Sequence, residues 1–348
     1  MDLDLDSGTY LLNVTVGTPI QLLSMTLDIN ATRHTLNFTD GNTSSCPESG
    51  GADLCALYGA YAPDASSAFA CGGVFNGQAE GEEFEAETNF SDLIAFGPLN
   101  TLAASGNDSS ILATFVDDEV IDTRTLSLWN NPAVDQESEV LFGGVNTAQY
   151  RGTLHTYTMN EDGVPRLPVT SLQVISDEEE TRNISLPETQ FTISTLYYTV
   201  LPKNIASQFY EAYNITDRVL PCSRQNENRT VALTIGDTTI ETPWEYLFYQ
   251  IADSDRAIIG VEFLRNIYLA IDYDTGKFGF AELNTAPGED DIRSLEDAEG
   301  VQGSGGDAGS GSGSGNEDDD TDTGAAGRIG VPGFGTIAVL GGISFASL

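Results

Sequence analysis

Residues 10–38 read YLLNVTVGTPIQLLSMTLDINATRHTLNF, and the rest of the chain is interpreted from this stretch. The alternation at Leu11, Asn13 and Thr15, with a high density of Leu, Val, Thr and Ile, favours strand over helix. The spacing predicts a strand over 10–16, a turn at Gly17-Thr18-Pro19 and a second apolar strand over 21–27. That second strand delivers one acid, Asp28, at its end. A carboxylate at the end of a buried strand is out of place in a core, so Asp28 is a site candidate.

A chain of 348 residues suggests two domains, and its 40% hydrophobic content is enough for a real core. Acids outnumber bases 53 to 14, for a formal net charge of −39. That balance excludes nucleic acid as a partner, because phosphate binding needs clustered Lys and Arg. It fits a solvated acidic surface and an acidic or salty working environment.

Asn-X-Ser/Thr sequons occur at Asn13, Asn30, Asn37, Asn42, Asn89, Asn107, Asn183, Asn214 and Asn228, a density that points to secretion. Cys46 and Cys55 bracket a short polar loop and form a candidate disulfide, while the partners of Cys71 and Cys222 are left open. The opening MDLDLDSG lacks the basic and apolar regions of a signal peptide, so the expectation of secretion rests on the sequons.

Residues 285–330 lose periodicity and are expected to form a disordered acidic Gly/Ser linker. The apolar tail 331–348, preceded by Gly324-Ala325-Ala326, matches a GPI-attachment signal and is a poor spanning helix.

Strand, Gly-Thr-Pro, strand, Asp resembles the route by which the first lobe of pepsin-like aspartic proteases reaches its first catalytic aspartate. A stalked, lipid-anchored body resembles the fungal, yapsin-type branch. Further landmarks follow in family order. Tyr58 to Ser67 is similar to the approach to the flap, and Leu93-Ile94-Ala95-Phe96-Gly97 to the family's Ile-Leu-Gly-Leu-Gly. Ser127-Leu128-Trp129, Leu141-Phe142-Gly143-Gly144 and Tyr150-Arg151-Gly152 are similar to the passage between lobes. Leu201-Pro202 with a helix over 204–214, and Ile258-Ile259-Gly260, are similar to the second lobe. Ile205, Phe209 and Tyr213 give that helix one apolar face. The resemblance implies an all-β, bilobal fold, with lobes at 1–155 and 156–284. It also implies a monomer with a polypeptide substrate or ligand in the cleft and no metal or cofactor.

The family's chemistry needs two carboxylates about 3 Å apart, one per lobe, sharing a proton. One activates a water while the other protonates the carbonyl oxygen. Glycine after each Asp permits the turn, and Thr or Ser hydroxyls cross-link the two loops. Here the first loop reads Asp28-Ile29-Asn30. Counting back from Leu201-Pro202 places the second aspartate's position on Ile193, which cannot titrate. Asn30 is expected to hold the turn at positive φ, and a glycan there would narrow the cleft. The flap tyrosine is absent, with Phe75 its nearest counterpart and Gly77 in the expected hairpin.

Literal Asp-Ser/Thr-Gly triplets at Asp6, Asp274 and Asp322 fall in turns or linker, Asp274 between two alternating strands. His34 and His155 lack zinc spacing, and His34 is expected on a strand surface. The expected function is therefore a degenerate family member, a pseudoprotease that keeps its cleft to bind polypeptide or glycan at a cell surface. The alternatives are an active aspartic endopeptidase and a structural wall glycoprotein.

Overall fold

The structure is a computed structural model. It describes residues 2–4, 9–16, 21–36, 59–60, 62, 70–71, 76–78, 81–83, 85–87, 94–96, 100–131, 138–176, 182–212, 229–243, 256–304 and 327–329. Strands Thr9–Val16 and Gln21–Asp28 pair antiparallel, from Leu11 opposite Thr26 to Val16 opposite Gln21. Their alternation sends Leu12, Val14, Leu23, Met25 and Leu27 into one core, each 6% exposed or less. Asp28 stands where the strand ends.

Among the described residues, three large sheets carry the fold. The first has eight strands from residues 2–103 and includes the Asp28 strand. The second has five strands, ordered Thr238–Pro243, Arg229–Ile235, Arg166–Ser176, Arg182–Ile193, Ile258–Ile259. Between these parts of the chain lies a seven-stranded sheet containing Thr125–Trp129, Glu139–Phe142, Tyr150–Thr158, Ile267–Asp272 and Lys277–Leu283. The architecture is all-β and bilobal, with a central sheet built from both halves of the chain. The expected boundary at 155/156 falls inside the strand Tyr150–Thr158, which pairs with Lys277–Leu283. A cut there divides a continuous ladder.

A second correction concerns the expected linker at 285–330, because residues 285–304 are ordered. Ile292–Arg293 pairs with Val145–Asn146, and a helical turn at Leu295–Ala298 is capped by Ser294. Gln302–Ser304 then extends the central sheet beside Arg151 to Thr153. Leu295 and Ala298 bury completely in a cluster with Tyr150 and Tyr268, and two well-placed apolar residues suffice to dock an otherwise polar segment. Gly303 lies so close to Tyr150 that a Cβ would sit 2.3 Å from its carbonyl oxygen. Gly327–Ile329 forms the opposite edge of the same sheet.

The helix expected over 204–214 is Lys203–Ala212, with Ile205 and Phe209 buried; Tyr213 lies outside the described residues. Two further expectations change. His34 is 1% exposed, and its Nδ1 accepts a hydrogen bond from the Ala103 amide at 3.1 Å. Burial lowers its pKa to about 4, so above that pH it is a neutral core residue. The strand hydrogen-bonded alongside Asp28 is Thr101–Ala103, with Ala103 opposite Asp28, whereas Ile94–Phe96 pairs with His34–Leu36. Thr101-Leu102-Ala103 therefore occupies the place assigned by resemblance to Leu93–Gly97.

Candidate active-site cleft

The two halves of the chain meet at Asp28 through a small set of hydrogen bonds. The Thr195 hydroxyl donates to the Leu27 carbonyl at 2.6 Å and accepts from the Ile29 amide at 3.3 Å. In the other direction, Asn30 Nδ2 donates to the Ile193 carbonyl at 2.8 Å. Leu27 immediately precedes Asp28. By the same two-fold relation, Ile193 immediately precedes the residue facing Asp28, and that residue is Ser194.

Two further registers agree. Thr26 N donates to Asn100 O and Thr192 N to Ala257 O, both at 2.9 Å, each two residues before the site position. Asp28 pairs with Ala103, and Ile193 pairs with Ile259, so one step further sets Ser194 beside Gly260.

The assignment of the second position to Ile193 is therefore corrected to Ser194. Strand alternation supplies the reason. Phe191 and Ile193 are both 0% exposed and point into the core, so Thr192 and Ser194 face the cleft. Counting back from Leu201-Pro202 presumed a loop of the family's length, and this one is a residue shorter. The chemical consequence is unchanged, since a serine hydroxyl cannot share a proton as a second carboxylic acid does.

Asn30 also differs from expectation. Among described residues other than glycine, only Glu119 has positive φ, so the turn after Asp28 forms without a left-handed residue. Asn30 instead makes the cross-link that Ile29, which has no hydroxyl, cannot make. Its amide also donates to Asp28 Oδ1 at 2.8 Å. A glycan at Asn30 would be attached at this same Nδ2, beside the bond to Ile193.

Of the other sequons, Asn107 and Asn183 are exposed and Asn13 is half-buried, with its Oδ1 accepting from Ser24 Oγ. Asn37, Asn42, Asn89, Asn214 and Asn228 lie outside the described residues, as do Phe75, Cys46 and Cys55. Gly77 sits in a two-stranded ribbon, opposite Glu82.

Asp28 opens onto a cavity of about 350 Å³, lined also by Asn30, Arg166, Ser194, Tyr197 and Arg256. No second acid lines it among the described residues. Burial raises the Asp28 pKa, opposed by the backbone amides of Asn30 and Ala31. Behind Asp28, the Tyr273 hydroxyl donates to the Ile29 carbonyl at 2.8 Å, and burial beside Asp28 pushes that phenol far above its ordinary pKa.

Asp274, one of the decoy triplets, lies in the turn between strands Ile267–Asp272 and Lys277–Leu283. It receives the Arg124 backbone amide at 2.8 Å and side-chain Nε at 2.7 Å. Its role is to hold a turn.

Sequence reasoning missed one acid. Glu262 is 1% exposed beneath the second loop, and its Oε2 accepts from the Thr199 amide at 2.9 Å and hydroxyl at 3.0 Å. Thr199 Oγ1 in turn accepts from the Gly260 amide. Gly260 has to be glycine, since a Cβ would lie 2.2 Å from the Tyr197 carbonyl oxygen. Burial raises the Glu262 pKa to about 7, against the lowering effect of its hydrogen bonds. Its position after Ile-Ile-Gly-Val, two residues beyond a glycine needed for close packing, was the available signal.

The comparisons agree with this geometry. A family model described as eukaryotic aspartyl protease matches residues 76–283. A probable aspartic-type endopeptidase, opsB, of Aspergillus fumigatus is 24% identical over 354 residues, covering 84% of this chain and 72% of that protein. Candidapepsin-1 of Candida albicans is 22% identical, covering 79% of this chain and 81% of its own length. Secreted aspartic protease 3 of Candida albicans is 22% identical, covering 79% of each.

Proposed function

The chain belongs to the eukaryotic aspartyl protease family, and from that premise we propose that it is a catalytically inactive member which uses its cleft to bind polypeptide at a cell surface. The observation that carries the reading is the Asp28–Ser194 pairing. Proton sharing across the lobes, activation of water and protonation of the carbonyl oxygen need two acids, and here one is a hydroxyl. Losing one member of a cooperating catalytic pair costs on the order of 10⁴-fold in rate. The cross-lobe bonds of Thr195 and Asn30 are nevertheless in place, so the two site loops stay joined without the chemistry.

The extracellular address is part of the proposal. It is supported by the sequons, including exposed Asn107 and Asn183, and by relatives named as secreted proteases. The GPI anchor rests on the sequence of the tail alone.

The relatives' names favour a working endopeptidase as the second reading. Incubation of the purified protein with an unfolded protein at pH 3–5 separates the two. The expected result is no cleavage by the native chain, with weak turnover introduced by Ser194→Asp. Turnover by the native chain that disappears in Asp28→Ala would overturn the proposal.

A further inference from the structure

We propose that a second cavity, between the strands Tyr150–Thr158 and Thr238–Pro243, is a binding site for a neutral oligosaccharide, separate from the Asp28 cleft. Its volume is about 510 Å³, within the range of small-molecule sites, and it shares no described lining residue with the cavity at Asp28. The site goes beyond the functional reading above and holds whether or not Asp28 catalyses.

A break in a ladder opens the cavity. Arg151 pairs with Glu282 and His155 with Phe280, so residues 152–154 stand opposite Ala281 alone. Extra residues on one strand bow it away from its neighbour. Gly152 takes the bend at φ +67°, with open space where a side chain would begin. The bowed segment pairs instead with Gln302–Ser304, which satisfies its backbone and keeps the gap from closing. At one end His155 Nε2 and Thr238 Oγ1 lie 3.2 Å apart, joining the central sheet to the second lobe's sheet.

The polar groups around this gap are held ready for a ligand. Asn266 Nδ2 donates to Thr242 Oγ1 at 3.1 Å and to the Glu262 carbonyl at 2.8 Å. Both amide protons are thereby engaged, which fixes the side chain and leaves Oδ1 as an acceptor. Arg151 Nε reaches Asn284 Oδ1 at 3.4 Å, and its terminal nitrogens stand in no ion pair among the described residues. Glu241 and Glu282 are exposed at the mouth and are likewise without an ion pair among the described residues.

This set of groups selects for ligand charge. Arg151 and Glu282 are cross-strand neighbours, so neither an anion nor a cation meets a field of one sign. No three His, Cys, Asp or Glu side chains among the described residues are placed to hold a metal ion. A neutral ligand rich in hydroxyls satisfies both signs. Each hydroxyl donates to a carboxylate or amide oxygen and accepts from the guanidinium or a threonine hydroxyl. The floor of Ile240, Ile267 and Phe280 suits the C–H face of a pyranose ring.

The test is titration calorimetry with the full chain, enzymatically deglycosylated, and neutral trisaccharides built of glucose, mannose or N-acetylglucosamine. A sulfated and an amine-bearing trisaccharide serve as anionic and cationic comparators. At least one neutral trisaccharide is expected to bind, more tightly than either comparator and with little dependence on salt. Glu241→Ala and Glu282→Ala, at exposed positions where the fold is not at risk, should each weaken binding roughly tenfold, as expected for losing a hydrogen bond to a charged group. An unfolded polypeptide in excess, the ligand proposed for the Asp28 cleft, should not displace the sugar.

No binding of any neutral trisaccharide, preference for a charged comparator, or indifference to both substitutions would each overturn the inference. So would displacement by the polypeptide, because it would place the sugar in the cleft.

Discussion

Glu262→Gln should make the protein more stable at neutral pH and leave it little changed in acid. The native fold raises this carboxyl from its ordinary 4.5 to about 7, chiefly by burying it. The folded state therefore binds the proton more tightly than the unfolded chain does. Below pH 4.5 both states are protonated and the group costs nothing. Between 4.5 and 7 the unfolded chain ionises first, and stability falls as pH rises. Above 7 the full difference, about 3 kcal/mol, has been lost. Glutamine resembles the protonated acid and keeps an oxygen for the Thr199 amide and hydroxyl, so it escapes this loss. Urea unfolding at pH 4 and pH 8, followed for native and variant chains, isolates the effect. The many surface carboxylates titrate alike in both proteins and cancel in the comparison. The native chain should lose about 3 kcal/mol more than the variant between the two pH values. Parallel pH dependence in the two proteins would refute the argument, because it would mean that Glu262 ionises in the fold as freely as in water.

Thr195→Val keeps the shape of the side chain but removes the donor to Leu27 and the acceptor for Ile29. A loss of about 1–3 kcal/mol is expected in chemical denaturation, the usual cost of buried polar groups left unpaired. A variant as stable as the native chain would show that the lobes are held elsewhere. In material secreted from a eukaryotic host, enzymatic deglycosylation followed by peptide mass spectrometry should find glycans at Asn107 and Asn183 and none at Asn30. An occupied Asn30 would show that the seam between Asn30 and Ile193 accommodates a sugar beside the bond from Nδ2.

Much of the fold was legible because it is encoded in local alternation. The two strands that reach Asp28, the landmarks from Ser127 to Arg151, the helix behind Leu201-Pro202 and the Asp274 turn each depend on neighbours a few residues away. The central sheet was not legible, since it joins Tyr150–Thr158 to Lys277–Leu283 across more than a hundred residues and cuts through the boundary drawn at 155. Residues 285–304 read as linker because their order depends on Leu295 and Ala298 finding a cluster built by distant strands.

The sequence by itself determined that a carboxylate ends the second strand of the opening pair and that no aspartate stands at the matching place in the second half. Which residue stands there was decided only in three dimensions. Loop length is free to change by one residue without disturbing the strand on either side. The hydrogen bonds from Thr195 to Leu27 and from Asn30 to Ile193 allow no such slip, because each joins fixed atoms on opposite halves of the chain.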